Sequence, residues 1–296
     1  MELHKTPERT KSGFVLLDQN MRLVKPVNEY LDFQALRGRA ENTLLAYGKD
    51  LKTFFEFLEQ RKLQYDQVTA NMIRDYVEYL RAPDVNTVYL FVESKRSPAT
   101  INRMISTLHG FYGYHVSMYG IVNPVITEDI NSPNGIFRGI LYHTRKSNYT
   151  RQSVFKVKES EYRIHLFTTT EMRQMHDVLP TARDKLLFKF LLQSGARISE
   201  ALSLRIEDIP VPDISSDISV LRHVKSKGRY RDIYIPTELL IDLDNYILDN
   251  CLSTKFGHDY IFASQHRHFQ GKPISYRGIY EVFKCAGKEV GIDFKF

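Results

Sequence analysis

From Asn42 onward, apolar side chains recur at steps of three and four: Leu44, Tyr47, Leu51, Phe54, Phe55 and Leu58. That spacing places them on one face of a helix, with Asn42 as its N-cap. A second helix is predicted after Thr69, with Ile73, Tyr76, Val77 and Leu80 inward. A third opens at Ser97-Pro98, a cap followed by proline at the first helical position, and carries Ile101, Met104, Ile105, Leu108, Phe111 and Tyr112. Residues 35–118 thus read as a helical bundle. Residues 1–34 lack this period; Phe14–Leu17 before a turn at Asp18–Asn20 predicts a small hairpin or an arm.

Residues 119–164 interrupt the order. Asn123-Pro124 and Ser132-Pro133-Asn134-Gly135 are turn signals, and Arg145, Lys146, Arg151, Lys156, Lys158 and Arg163 make the stretch a basic interdomain linker. A second domain is expected over 165–296. Thr168 and Glu171 form a capping box, and a helix over about 183–193, apolar nearly all round, stops at Gly195. Strand-like alternation follows in Ile218, Val220, Arg222 and Val224 and again over 230–235, joined by Ser226-Lys227-Gly228-Arg229 as a hairpin turn. Helices are predicted at about 237–248 and 275–290, the latter with Ile279, Val282, Phe283, Ala286 and Val290 inward. The fold class is mainly α with a small antiparallel β-sheet.

Composition narrows the function classes. A chain of 296 residues fits two domains at roughly 100–200 residues each. With 43% hydrophobic and 26% charged residues it is neither a disordered chain, a collagen nor a coiled-coil rod. No apolar run approaches the ~18 residues of a membrane span, and the polar N-terminus has no signal-peptide core. Two cysteines, Cys251 and Cys285, give no disulfide framework, so a cytoplasmic location is expected. A net charge of +6 favours a polyanionic partner mildly; its distribution matters more.

Three stretches concentrate that charge. In Ser194-Gly195-Ala196-Arg197-Ile198-Ser199-Glu200, one helix stops and another is expected to start with Ser199 as its cap. Arg197 beside that N-terminus suits a phosphate, with Glu200 bracing its guanidinium; the alternative is a structural Arg197–Glu200 ion pair. The hairpin carries Arg222, Lys225, Lys227, Arg229 and Arg231. It fits either a DNA groove with a proton-delivering lysine at the tip or a solvated strand edge. Arg96, Thr100 and Arg103 flank the start of the third bundle helix, as phosphate contacts or as a solvated helix face. His258, His266 and His268 lack a cysteine pair or an HExxH spacing, and no Walker A, GxGxxG or GxSxG motif occurs, so no metal or other cofactor is expected.

In this order the pieces resemble the tyrosine recombinase (phage integrase) family, most closely its transposase branch. The matching residues are Asn42-Thr43 with Tyr47 and Asp50-Leu51, then Ser97-Pro98-Ala99-Thr100-Ile101-Asn102-Arg103 leading to Phe111-Tyr112. They continue with Ser194 to Leu204 closed by Glu207-Asp208-Ile209, and with Lys225-Ser226-Lys227-Gly228 before Arg231 and Tyr234-Ile235-Pro236. The resemblance covers residues 35 to 296. It implies a SAM-like core-binding bundle and an integrase-type catalytic domain closing on double-stranded DNA. It also implies strand cleavage and rejoining through a phosphotyrosine without metal or ATP, and assembly as a homo-oligomer, a tetramer on two sites. It assigns Arg197 to the scissile phosphate and Lys227, with Lys225 as fallback, to protonation of the leaving oxygen.

One departure bears on activity. The family's His-x-x-Arg motif and nucleophilic tyrosine follow the helix placed at 275–290, whereas no His-x-x-Arg follows Lys227 here and Tyr276 and Tyr280 precede that region. The expectation is a recombinase or transposase chain without its C-terminal catalytic end, which binds DNA but does not cleave it alone. The rival is a catalytically inactive DNA-binding remnant or regulator of recombination sites.

Overall fold

The computed structural model describes residues 1–6, 10–81, 96–131, 149–159, 166–226, 228–251, 259–265, 268–269 and 271–292. The chain divides into two compact units, Met1–Tyr162 and Arg163–Phe296. The described residues are mostly helical, with three two-stranded antiparallel pairs.

In the first unit, the predicted helices are α2 (Glu41–Gln60), α3 (Ala70–Arg81) and α4 (Pro98–Tyr119). The buried set includes Leu44, Leu51, Phe54, Phe55, Leu58, Ile73, Tyr76, Leu80, Ile101, Met104, Ile105, Leu108 and Phe111, as the spacing requires. Ser97 caps α4, accepting from the Thr100 N–H at 3.3 Å. The start of α2 differs from expectation: Ala40 stands at the cap and Asn42 falls inside the first turn.

The N-terminal segment is no free arm. Strands β1 (Glu2–Lys5) and β2 (Phe14–Leu17) pair antiparallel, and helix α1 (Lys25–Leu36) follows. Phe14, Leu16, Val27, Tyr30 and Leu31 are buried in the same core as α2 and α4. Asn28 clips β2 to α1, accepting from the Leu16 N–H at 2.8 Å and donating to the Leu16 carbonyl at 3.0 Å. Val27, Tyr30, Leu31 and Gln34 stand at helical spacing; only Lys25-Pro26 before them masks the period.

The stretch expected as a bare linker carries strands β3 (Thr127–Asn131) and β4 (Tyr149–Ser153), paired in register from Thr127↔Ser153 to Asn131↔Tyr149. The Ser132–Gly135 turn signal lies outside the described residues. After β4 the chain is tied to α4 by Asn102, which accepts from the Val157 N–H at 2.8 Å and donates to the Val157 carbonyl at 2.9 Å.

The second unit begins with α5 (Thr169–Val178), whose predicted capping box between Thr168 and Glu171 is formed, and α6 (Ala182–Ser194). Then come α7 (Ile198–Ser203), β5 (Ile218–Ser226), β6 (Arg229–Pro236), α8 (Thr237–Tyr246), a π turn over Ile247–Cys251, and α9 (Tyr276–Glu289). Leu187, Phe190, Leu221, Ile233, Ile235, Leu239, Ile279 and Phe283 meet in one core.

The β5–β6 hairpin joins Ser226 to Arg229 as predicted, and its inner face changes along β5. Ser219 and Leu221 are buried, whereas Ile218 and Arg222 are exposed. The register slips between Leu221 and Val224, where Arg222 and His223 stand opposite Asp232 alone; beyond that bulge Val224 and Ser226 turn inward. His223 takes a φ of +56° and donates its N–H to Asp232 Oδ1 at 3.0 Å.

A candidate phosphate site and nucleic-acid interface

Helix α6 stops because Gly195 turns left-handed, at φ +58°, and its N–H closes on the Leu191 carbonyl at 3.2 Å. The chain leaves extended through Arg197, which caps α7; the expected cap, Ser199, lies inside the helix. With only six residues α7 supplies little dipole, so attraction for an anion comes from side-chain charge.

That charge is organised around Glu200. Its carboxylate is fully buried and accepts from the Arg197 N–H at 2.8 Å and from Arg197 Nη1 at 2.8 Å. It accepts as well from Arg231 Nε at 3.1 Å and Arg231 Nη2 at 2.6 Å. Burial alone raises such a carboxyl. The hydrogen bonds from Arg231, from Ser226 and from the Arg197 backbone and side chain outweigh it, and the group is held at about 2. Two guanidiniums thus share one carboxylate, which leaves one positive charge uncompensated within the trio.

Arg197 forms the ion pair of one sequence alternative without spending its whole side chain on it. It is paired with Glu200, yet its side chain is 61% exposed. Its Nη1 gives one proton to Glu200 and one to Ser226 Oγ, at 2.7 Å. Among the described residues nothing takes the Nε–Nη2 edge, the edge that grips two oxygens of a phosphate. Arg231 is arranged the opposite way: its Nε–Nη2 edge is spent on Glu200, with a further 3.5 Å contact to the Gly195 carbonyl.

The other hairpin candidates scatter. Lys225 is exposed opposite Tyr230, on the face away from Ser226, while Arg222 and Arg229 are exposed at the bulge and beside the turn. Lys227 lies outside the described residues.

In the first unit, Arg96 precedes the α4 cap, and Thr100 Oγ1 lies 2.9 Å from Ser97 Oγ. Arg103 bonds through Nη1 to Asp50, which α2 holds at 3% exposure and whose Oδ2 also accepts from Thr107 Oγ1 at 2.8 Å. Burial pushes the Asp50 carboxyl up, against the pull of Thr107, Arg103 and Arg96. The guanidinium of Arg103 remains half exposed.

Sequence reasoning missed Ser226, Asp50 and the pairing of Arg231 with Glu200. Arg231 stands two and four residues before the buried Ile233 and Ile235, so period-two alternation puts it on their face. Asp50 sits within the apolar stripe of α2, where an acid needs partners. Ser226 is reached only through the bulge, which no sequence pattern announces. Among the described residues no group of three or more His, Cys, Asp or Glu side chains is placed to hold a metal ion, and no helix is long and apolar enough to cross a membrane.

Residues 27–117 match the phage integrase N-terminal SAM-like domain, and residues 165–296 match the phage integrase family. The chain belongs to the phage integrase family of tyrosine recombinases. Arg96, Thr100, Arg103 and Asp50 fall within the first match, and the Arg197–Glu200–Arg231 trio within the second. This integrase-family chain is 28% identical over 288 residues to transposase A from transposon Tn554 of Staphylococcus aureus, covering 95% of this chain and 79% of that one. It is 27% identical over 248 residues to the tyrosine recombinase XerC of Staphylococcus epidermidis, covering 82% and 69%. Its fold is similar to the crystal structure of a lambda integrase dimer bound to a COC' core site, with a TM-score of 0.56 at 16% identity over 92% of this chain; the chain spans 64% of that integrase.

Proposed function

We propose that this protein acts in site-specific recombination of double-stranded DNA, with Arg197 gripping the phosphodiester to be cut. The observation that carries the reading is the open Nε–Nη2 edge of Arg197, presented to solvent while Glu200 and Ser226 fix Nη1. A guanidinium held in this way meets charge developing on a phosphate without first having to be ordered. The relatives support the same chemistry, since Tn554 encodes a transposase and XerC is a tyrosine recombinase.

On this reading Lys227 protonates the leaving oxygen. Lys225 is the weaker candidate, because strand alternation turns it away from the face on which Ser226 meets Arg197. Arg96, Thr100 and Arg103 in the first unit, and Arg222 and Arg229 on the hairpin, contact the DNA backbone. Such contacts give affinity that falls steeply with salt. The protein assembles as a homo-oligomer on its sites, as the DNA-bound lambda integrase dimer does. Its two cysteines, Cys251 and Cys285, give no disulfide framework, which suits a reducing cytoplasm.

The test joins the chain to a C-terminal segment that supplies a His-x-x-Arg motif and a nucleophilic tyrosine, and scores recombination between cognate sites on a plasmid alongside duplex affinity. Arg197→Ala is expected to abolish recombination while most duplex affinity remains. Recombination at the wild-type rate in that variant ends the assignment.

A further inference from the structure

We infer that Arg231 is a positioning residue: it holds Glu200 from the core side of the hairpin so that Glu200 can hold Arg197, and it does not itself bind the phosphate. The inference rests on the phosphate reading of Arg197 and adds to it the part that keeps that guanidinium aimed.

The division of labour follows from which edges are used. A guanidinium grips an oxyanion best through its Nε–Nη2 edge or through its paired Nη atoms. Arg231 gives Nε to Glu200 Oε1 at 3.1 Å and Nη2 to Glu200 Oε2 at 2.6 Å, a bidentate pair with a fully buried carboxylate. Arg197 gives the same carboxylate one nitrogen of its fork and its backbone N–H, and keeps its Nε–Nη2 edge outward. Opening the Arg231 pair would leave a buried carboxylate half satisfied, which is costly, so Arg231 stays where it is.

The strand fixes this from below. Arg231 pairs with Val224 across the hairpin and keeps the strand period of Ile233 and Ile235, although its side chain is 41% exposed. Its Nη2 also reaches toward the Gly195 carbonyl, at the stop of α6. Arg231 thereby ties β6, the α6 stop and the α7 start together around Glu200. Without it, Glu200 would have only Arg197 as an ionic partner, and the carboxylate would draw that guanidinium inward to complete its own hydrogen bonds. Lysine cannot substitute, because an ammonium presents one point charge where the carboxylate is bridged at two oxygens.

The test uses the 296-residue chain. Arginine Nε–H signals are followed by NMR while inorganic phosphate is added, with Arg197 and Arg231 assigned through their lysine variants. Phosphate is expected to shift the Arg197 signal and leave that of Arg231 in place. Arg231→Lys, which keeps the charge, is expected to weaken phosphate binding by about tenfold, the worth of an ordered charged hydrogen bond. Glu200→Gln, which leaves Arg231 in the chain, is expected to weaken it as well, and serves if the lysine variant does not fold. An Arg231 signal that moves with that of Arg197 makes Arg231 a phosphate ligand, and wild-type affinity in Arg231→Lys or Glu200→Gln shows that Arg197 needs no such support; either result overturns the inference. Failure of the phosphate reading looks different: Arg197 itself then gives no response, and the inference goes with it.

Discussion

Ser226 and Arg197 stand 29 residues apart in sequence, and the serine hydroxyl accepts a 2.7 Å hydrogen bond from Nη1 of the arginine. From β5 the hairpin touches the α6–α7 junction through this one small side chain, beside the Arg231 contacts from β6. Ser226→Ala removes that acceptor, and water replaces it only on the exposed side of Arg197. We expect the second unit to lose about 1 kcal/mol in urea unfolding, the net worth of one such bond. An unchanged midpoint would show that the contact steers nothing.

Ser226 faces inward only because the strand changes phase at the bulge. His223 stands there at φ +56°, a conformation that costs a residue with a Cβ roughly 1–2 kcal/mol. Its N–H bond to Asp232 belongs to the backbone and survives any side-chain change. His223→Gly is expected to stabilise the hairpin by up to about 1 kcal/mol, less than the full strain because glycine also frees the unfolded chain. His223→Val, branched at Cβ, is expected to destabilise it. The two variants should move the urea midpoint in opposite directions.

Glu200 gives the second unit an acid-side signature. Its folded value, about 2, lies below the ordinary 4.5, so the stabilisation from its ionised form is complete above about pH 5 and is lost as pH falls toward 2. A depression of that size corresponds to about 3 kcal/mol. Glu200→Gln is expected to be less stable than the wild type at pH 7 and flatter across the acid window, by about that amount. Parallel acid-unfolding curves for the two proteins would mean that the carboxylate is not held as the geometry implies.

These elements show how far the sequence could be read. The bundle helices are legible because their apolar positions keep one period over several turns, and the Arg197 block because a helix stop, an arginine and a glutamate fall together. Helix α1 escaped because its Val27–Gln34 stripe is short and is preceded by proline. The inner face of the hairpin was not legible, because the apolar Ile218 is exposed while Ser219 is buried beside Leu221. Strand alternation fixes a period but not which side is wet, and a bulge then reverses the phase. Arg231 followed the period, yet its charge argued for solvent until Glu200 supplied a buried partner.

The buried β2 strand makes the N-terminal residues part of the bundle's stability. Leu16 is wholly buried among Val27, Leu31 and the α2 residues of the same core. Leu16→Ala is expected to cost the first unit about 2–5 kcal/mol. Asn28→Ala, which unclips β2 from α1, is expected to cost about 1–3 kcal/mol by taking away the partner of the Leu16 N–H, while the Leu16 carbonyl keeps the Val24 N–H at 3.0 Å. Urea unfolding followed by tyrosine fluorescence reads both. Wild-type stability in Leu16→Ala would return the segment to the status of a loose arm.

The α4 arginines test the first unit's share in DNA binding. Arg103 is anchored through Nη1 to Asp50, so its remaining nitrogens are presented from a fixed stem rather than from a free chain. Arg96 stands one residue before the helix cap, within range to pull on the same carboxyl. Contacts of this kind go to phosphates and carry no base information. Arg96→Ala and Arg103→Ala are each expected to weaken duplex binding to the same extent across unrelated sequences. Each should also make the plot of log affinity against log salt shallower by about one, the signature of one lost phosphate contact. Arg103→Ala should additionally raise the Asp50 carboxyl further, since burial already pushes it up and the arginine opposes that rise. Fluorescence anisotropy of a labelled duplex at several salt concentrations supplies both slopes. If neither variant changes affinity or slope, the face of α4 lies outside the DNA interface, and any binding must come from the second unit's hairpin.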